Sequence, residues 1–579
     1  MKTALFKSRF AVVLSLIAVG FPLLLYPQGK YPMEPVSIEP GPRELASSRV
    51  SMVSSAHPFA TDAGLEMLRR GGNAMDAAIA ATMVTAVVDV GLSSFAGGGT
   101  FTYYDSKTKR TIVLNFEPNA VKEDVMPYKA DRDGVTGRSI RIPGAIAGFH
   151  LAIQKYGALS WKEVLEPSIF YAENGFPLYG TAYAIMQDRY ITLTMQPSGR
   201  RIFAPNGYLP PVGAIFKQPE MAATLRKIAE KGPDYFYKGP FAEQMVKAIR
   251  DIGGKATLDD FASYRALELE PIRGTYKSYQ IVGPPPPATS TVAITEGLNI
   301  LENVDLKGMG HYSQSADSLQ WVIETLRVMF NDARKYSGIP EFDRPLAQSL
   351  MSKEYAQAQY KLIRYKIEQM KRHARERPMQ TAQQTPASDR HEEELGTNHV
   401  SAVDKDGNVC SITSTIYGGV YSYAGLFVGG IVLDSAGGFR SNPGERIISP
   451  IAPIIVFKGD KPYFATGSSG GTPNTFYTTL NVLVWDKNLK EAQEAPRFPN
   501  AGRLLDLDDN KVSIESRIDD KVAEELKKRG YQLERVGPYS FNLGGVRPLG
   551  GVQMIGIDPD SGIRYGATDP RGVGKAAGQ

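Results

Sequence analysis

Apolar and polar positions change their spacing along this chain, and the spacing predicts most of its elements. Thr61–Arg70 carries Leu65 and Leu68 on one helical face and stops at Gly71-Gly72, which predicts an amphipathic helix. Ala74–Val88 is Ala-rich and apolar nearly all round, which predicts a helix buried on every side. A short apolar strand leads from Val50 to Pro58. Phe101-Thr102-Tyr103-Tyr104 and Thr111-Ile112-Val113-Leu114 flank Asp105-Ser106-Lys107 as a hairpin. Residues 145–370 read as mainly helical, with loops near 195–215 and 280–290. Beyond residue 397 strands dominate, at 399–404, 408–416, 426–433, 453–457 and 462–466. A helix Tyr477–Val484, a Glu/Lys-rich helix Asp519–Arg529 and strands near 551–557 and 563–567 follow. Helices followed by a strand-rich C-terminal third predict an α/β (α+β) layered domain.

One junction breaks the pattern. Arg372 to Leu395 is polar, charged and Pro-containing, and cannot bury a core. After Gly396-Thr397 come a strand-like run (Val400–Val403), a turn at Asp404–Asn408 and a second run, Val409–Ile416. Taken alone, this reads most simply as a threonine that opens a surface strand. If the chain is cut after Gly396, however, Thr397 gains a free α-amine of pKa roughly 7.7–8.0. Such an amine is well matched to general-base work near neutral pH, so one scission would create nucleophile and base together.

The other end of the chain differs in kind. Lys2, Lys7 and Arg9 precede an apolar run from Phe10 to Tyr26, the layout of an export signal whose apolar run is near the lower length limit of a membrane span. No small-x-small cleavage site follows. Residues 1–30 are therefore expected to be a signal peptide or membrane anchor, with the protein exported to the periplasm or beyond and possible membrane attachment through residues 10–26. Residues 31–48, rich in Pro, Glu and Ser, are expected to be a linker.

Composition narrows the chemistry. A hydrophobic content of 42% and charged content of 22% are those of a globular protein. The net charge of +5 over 579 residues, with no basic stripe interleaved with aromatics, gives nucleic-acid binding no support. Lys371–Arg377 reads as the solvated end of a helix. The single cysteine, Cys410, excludes an intramolecular disulfide and fits a small buried apolar position. The six histidines have no ligand-like spacing, so neither a metal nor another cofactor is expected.

Thr397-Asn398-His399-Val400-Ser401, Val403–Asn408 and Thr413-Ser414-Thr415 closely resemble the small-subunit start of the gamma-glutamyltranspeptidase family. Further matches follow in family order: Arg70–Ala78, Gly97-Gly98-Gly99, Pro143-Gly144-Ala145, Phe236–Gly239, Pro284–Pro287, Gly467–Gly471, Ala495–Phe498 and Ala567–Arg571. The resemblance implies a four-layer αββα sandwich of the N-terminal nucleophile hydrolase type. A large subunit (49–396) and a small subunit (397–579) would form it jointly and stay associated after cleavage between Gly396 and Thr397. It implies Thr397 as nucleophile, Thr415 as its supporting hydroxyl, and Gly470 and Gly471 as oxyanion donors. The resemblance implies a self-processing amidohydrolase and acyltransferase that cleaves γ-glutamyl or related acyl amide bonds of a small-molecule or peptide substrate through an acyl-Thr397 intermediate.

The glutamyl clamp departs from the family pattern. Glu117 follows Asn115-Phe116 where an arginine is expected, and Tyr417 replaces an asparagine. Ser449-Pro450 replaces a serine pair, and Gly438 replaces an aspartate before Phe439. A carboxylate in place of a guanidinium would repel an α-carboxylate, leaving Arg440 or Arg446 as candidate replacement cations. The covering loop is short, since Phe439–Arg446 leads directly to Ile447. A non-glutamyl acylase of the cephalosporin-acylase-like type, or a binding protein of the same fold that has lost catalysis, are the alternative expectations. Gly467-Ser468-Ser469-Gly470-Gly471 also satisfies G-x-S-x-G, but that triad needs a histidine downstream of the serine, and the last histidine is His399.

Overall fold

Fourteen of the strands in the computed structural model form two seven-stranded sheets, both antiparallel throughout. The structure describes residues 31–33, 41–89, 91–124, 128–337, 342–376, 396–439, 441–498, 510–537 and 551–579. The apolar run 10–26, the polar run from 377 to 395 and Arg440 lie outside them. Among the described residues no helix is long and apolar enough to cross a membrane.

From edge to edge, the first sheet is Lys575–Gly578, Met52–Ser55, Gly396–Val403, Val409–Tyr417, Gly98–Asp105, Arg110–Asn115 and Leu267–Leu269. The second is Ala46–Ser48, Arg564–Thr568, Val552–Ile557, Lys461–Ser468, Ile454–Lys458, Tyr279–Gly283 and Ile272–Tyr276. Strands from before and after residue 396 thus occur side by side in both sheets.

Helices cover both outer faces. Ala74–Val88 lies against the first sheet with every residue buried, as its all-round apolar sequence predicts. Its start is fixed by a capping box, in which the Asn73 side chain accepts from the N–H groups of Met75 and Asp76 while Asp76 accepts from Asn73 N–H. Pro58–Arg69 and Trp161–Asn174 pack around this helix. Ser290–Leu301, Ala316–Tyr336 and Gly471–Trp485 form the core on the other side. The resulting order is helix, sheet, sheet, helix, the layering that the resemblance implied.

The period-2 alternation of the strands sorts the residues. On Gly396–Val403, Val400 and Ala402 enter the helical core, and Cys410, Ile412 and Ile416 do so from Val409–Tyr417. The alternate positions face the second sheet. There Val403 and Val409 join Met52, Tyr104, Val282, Ile455, Phe457, Ala465 and Ile555 in an apolar seam. Towards the other end of the same face stand Thr397, His399, Ser401, Ser411, Thr413 and Thr415, all buried.

Several expectations change. The region expected to be mainly helical contains the hairpin Ile272–Tyr276 and Tyr279–Gly283, which forms one edge of the second sheet. The run 426–433 is two short strands, Phe427–Val428 and Ile431–Val432, because Gly429 and Gly430 adopt φ +54 and +79 and turn the chain. The helix expected from Tyr477 starts at Gly471. The end of the expected linker is a strand: Ala46–Ser48 pairs with Arg564–Gly566. Its beginning is anchored, with Tyr31 buried against Phe170 and Tyr171, and Tyr171 Oη donating to the Pro32 carbonyl at 2.9 Å. Lys575–Gly578, and the parallel pair Lys511–Glu515 with Gln532–Val536, are not among the strands expected from the sequence.

Candidate active site

Thr397 stands where the first sheet is locally irregular. Gly396 is opposite Tyr417 while Thr397 is opposite Thr415, so a β-bulge falls at the Gly396–Thr397 bond. Only a glycine fits at 396, where a Cβ would lie 2.7 Å from Ile416 Cγ2. The Thr415 hydroxyl organises the junction. It accepts from Thr397 Oγ1 at 3.0 Å and from the Tyr417 N–H at 2.9 Å, and it donates to the Gly396 carbonyl oxygen. A hydroxyl has one proton and two acceptor sites. With both acceptor sites occupied, the Thr415 proton is directed to the carbonyl of the candidate scissile bond. Thr397 is 3% exposed and Thr415 1%.

Tyr417 holds a φ of +63, a left-handed conformation that a bulky residue rarely adopts and that costs about 1–3 kcal/mol. Its surroundings impose it. The phenol donates to Glu117, the Phe439 ring meets it edge-on at 5.3 Å, and a parallel bridge joins Tyr417 to Ser435.

The two glycines occupy the start of the helix Gly471–Trp485. Gly470 and Gly471 have φ +103 and +68, and no side chain caps the first turn. Helix-start N–H groups carry partial positive charge and can receive a developing anion. The strand that leads into this turn, Lys461–Ser468, crosses the polar end of the first sheet. Ser411 Oγ donates to the Thr466 carbonyl at 3.1 Å, and a Cβ on Gly467 would lie 2.4 Å from the His399 ring. Ser469 is tied to the neighbouring strand, its Oγ accepting from Gly551 N–H at 2.7 Å. No histidine bonds to it among the described residues, in keeping with the rejection of a serine triad.

His399 was not singled out by spacing, yet it shares the inward face with Thr397 because the two are two residues apart. Burial pushes its pKa down to about 3, so the ring is neutral. Its Nδ1 bonds with Thr413 Oγ1 at 2.8 Å and its Nε2 with Ser401 Oγ at 2.9 Å. Burial also pushes the Cys410 thiol up, as expected for an inert apolar position.

Three of the four departures from the glutamyl clamp meet in space. Glu117 is buried, and its two carboxyl oxygens accept from Tyr417 Oη and, at 2.7 Å, from Ser449 Oγ. Burial raises its pKa to about 7, against the lowering effect of those two hydrogen bonds and of the Arg446 charge. The fourth, Gly438, is exposed at the end of the turn Ala436–Gly438, beside Phe439. The acid of that loop, Asp434, points inward to accept from the N–H groups of Arg141 and Ala436 at 2.9 and 3.1 Å. Burial raises it to about 7 as well.

Arg446 is occupied elsewhere than in a carboxylate clamp. Its guanidinium donates to the carbonyls of Glu117 (2.8 Å) and Arg265 (2.5 Å) and to Tyr264 Oη, and stacks 4.8 Å from the Tyr264 ring centroid. The short loop packs down with it: Ile447 N–H donates to Pro118 O at 3.0 Å and Ala120 N–H to Glu445 O at 2.8 Å. Pro450, next to Ser449, accepts from Thr472 Oγ1 at 2.9 Å. The Glu117 cluster is thus joined to the Thr397 hairpin through Tyr417 and to the Gly470-Gly471 turn through Pro450.

The chain is similar to known proteins over most of its length. The family model for gamma-glutamyltranspeptidase matches residues 60–579. The glutathione hydrolase proenzyme of Escherichia coli K12 is 31% identical over 566 residues, covering 91% of each chain. The acylase ACY 1 proenzyme of Pseudomonas sp. SE83 is 30% identical over 547 residues, covering 89% of this chain and 91% of its own. Among solved structures, the cephalosporin acylase of Bacillus halodurans superposes with a TM-score of 0.75 at 25% identity, covering 94% of this chain and 98% of its own. With the Thr397 hairpin, the glycine turn and the layered sheets in place, this chain belongs to the gamma-glutamyltranspeptidase family.

Proposed function

We propose that this protein is a self-processing amidohydrolase and acyltransferase that works through an acyl-Thr397 intermediate, on acyl groups that lack a free α-carboxylate beside the Glu117 cluster. The observation that carries it is the hydroxyl pair at the bulge, Thr397 to Thr415 to the Gly396 carbonyl.

In self-cleavage, Thr397 Oγ1 bonds to the Gly396 carbonyl carbon. Its proton passes to Thr415, whose own proton passes to the carbonyl oxygen. The Gly396–Thr397 C–N bond then breaks as the nitrogen takes that proton back, leaving an ester and a free amine. Water hydrolyses the ester to a Gly396 carboxylate. In turnover, the new amine takes the Thr397 hydroxyl proton, Oγ1 attacks the substrate carbonyl, and the amine leaving group receives the proton. The N–H groups of Gly470 and Gly471 stabilise the oxyanion. Water, or an acceptor amine, releases the acyl group.

The substrate side follows from charge. A glutamyl α-carboxylate would face a buried acid instead of an arginine and would lose a charge-assisted contact. Arg446, bonded to backbone carbonyls, does not replace it. The similarity to acylases supports this choice. Lys2, Lys7 and Arg9 before the apolar run 10–26 support export as part of the same reading.

Sequencing the smaller fragment of purified protein tests the mechanism: it begins at Thr397, and Thr397→Ala gives one intact chain with no amidase activity. A smaller fragment with another start, or turnover by the intact variant, overturns it. A panel of anilides tests the substrate class, with neutral acyl anilides cleaved at least tenfold faster in kcat/KM than the γ-glutamyl anilide.

A further inference from the structure

We infer that the buried Glu117–Tyr417 pair is the positioning element of self-cleavage: it holds Tyr417 in its left-handed backbone so that the Tyr417 N–H directs the Thr415 hydroxyl onto the Gly396 carbonyl. This role presupposes the self-processing reading above and adds to it residues that touch neither the nucleophile nor the scissile bond through their side chains.

The Thr415 hydroxyl can turn about its C–O bond, and its direction is set by what fills its acceptor sites. Thr397 fills one and the Tyr417 N–H, at 2.9 Å, the other. That N–H lies in the peptide plane shared by Ile416 and Tyr417, which ends at the Tyr417 Cα, so anchoring that Cα through the side chain restrains the direction of the N–H. A tyrosine free of restraint prefers negative φ. Here φ is +63, so the side chain must hold what the backbone disfavours.

The holding contacts converge on the phenol. Its hydroxyl donates to one oxygen of Glu117, while Ser449 occupies the other at 2.7 Å. Gly98 leaves room for it, since a Cβ there would lie 2.9 Å from Tyr417 Oη. Phe439 closes the ring's other side. The groups facing the Glu117 carboxyl are Tyr417, Ser449, Thr100 at 3.5 Å, and the Arg446 and Tyr264 pair. An ionised Glu117 can accept from both Tyr417 and Ser449. Protonation turns one of its oxygens into a donor and removes that double acceptance. Burial places this change near pH 7, so cleavage should quicken as pH rises through that value.

The test uses full-length precursor made by cell-free translation, with conversion to two fragments followed on denaturing gels between pH 6 and 9. Tyr417→Phe and Glu117→Gln are each expected to slow conversion at least tenfold. The wild-type rate should rise through pH 7, and the Glu117→Gln rate should be flat. Tyr417→Gly supplies the positive φ without an anchor, so adding Glu117→Gln to it should change nothing further. Wild-type rates in both single variants, a pH rise retained in Glu117→Gln, or further slowing by Glu117→Gln on the Tyr417→Gly background would each overturn the assignment. Should Tyr417→Phe fail to fold, the comparison on the Tyr417→Gly background decides. Thr397→Ala separates the two levels. If it converts, or the wild type does not, self-processing itself falls; if both behave as stated, only the positioning role is at stake.

Discussion

Gly396–Val403 and Val409–Tyr417 run through both ends of the layer between the sheets, and the two ends are built by opposite means. At one end Met52, Val403, Val409, Ile455, Phe457, Ala465 and Ile555 fill space with carbon. At the other, Thr397, His399, Ser401, Thr413 and Thr415 fill it with hydroxyls and a neutral imidazole. The apolar end needs only volume and tolerates reshaping. The polar end needs every donor to meet an acceptor, so each group fixes the direction of the next. A single strand can therefore anchor a fold with one half and orient a chain of hydroxyls with the other.

Removing volume gives the largest expected effect. Phe457 packs edge-on against Tyr104, with centroids 5.3 Å apart. Phe457→Ala, introduced in the Thr397→Ala chain, should lower stability by about 3–5 kcal/mol in urea unfolding. A loss below 1 kcal/mol would show that the apolar end does not carry the sheet-to-sheet contact.

Charge beyond the polar end comes next. Because burial raises the Glu117 pKa from 4.5 to about 7, the folded state binds its proton more tightly than the unfolded chain does. The associated stability is fully present below pH 4.5 and is lost as pH rises through about 7, a contribution of at most about 3 kcal/mol. Asp434, raised to about 7 from 3.8, acts with the same sign. The melting temperature of the Thr397→Ala chain should fall across that window, and fall less when Glu117→Gln is added. Equal slopes in the two chains would contradict the buried-acid description.

The smallest effect probes redundancy among hydroxyls. Ser401→Ala removes one partner of His399 Nε2, but Ser411 Oγ stands 3.4 Å from the same nitrogen. The expected cost is about 0.5–1.5 kcal/mol in urea unfolding. A cost above 3 kcal/mol would mean that Ser411 cannot substitute and that the polar end is more rigidly determined than its geometry indicates.

What could be read in the sequence follows the same division. Strands with apolar residues on one or both faces, such as Val409–Tyr417, and the wholly buried helix Ala74–Val88 announce themselves through period and composition. Ile272–Tyr276 alternates too, buried then exposed, but Arg273 and Gly274 dilute the signal, and Gly274 is required because Thr295 fills its side-chain space. Lys575–Gly578 has almost no strand propensity and exists because Met52–Ser55 offers it an edge. At the site, resemblance pointed to Glu117, Tyr417 and Ser449 as departures from a pattern. Their mutual contact was invisible, because the hydrogen bonds join positions about 300 residues apart along the chain. The left-handed backbone of Tyr417 was equally hidden, since nothing in a tyrosine advertises it.

The side-by-side placement of strands from before and after residue 396 has a consequence for the two pieces that the proposed cleavage would create. Met52–Ser55 lies between Lys575–Gly578 and Gly396–Val403, and the second sheet begins and ends with strands of the larger piece. Parting them means breaking ladders in both sheets and exposing bare edges, so dilution alone offers no route to separation. The proposed nick would leave a cooperative unit with an extra terminus in its interior, in which losing either piece is the same event as unfolding the whole.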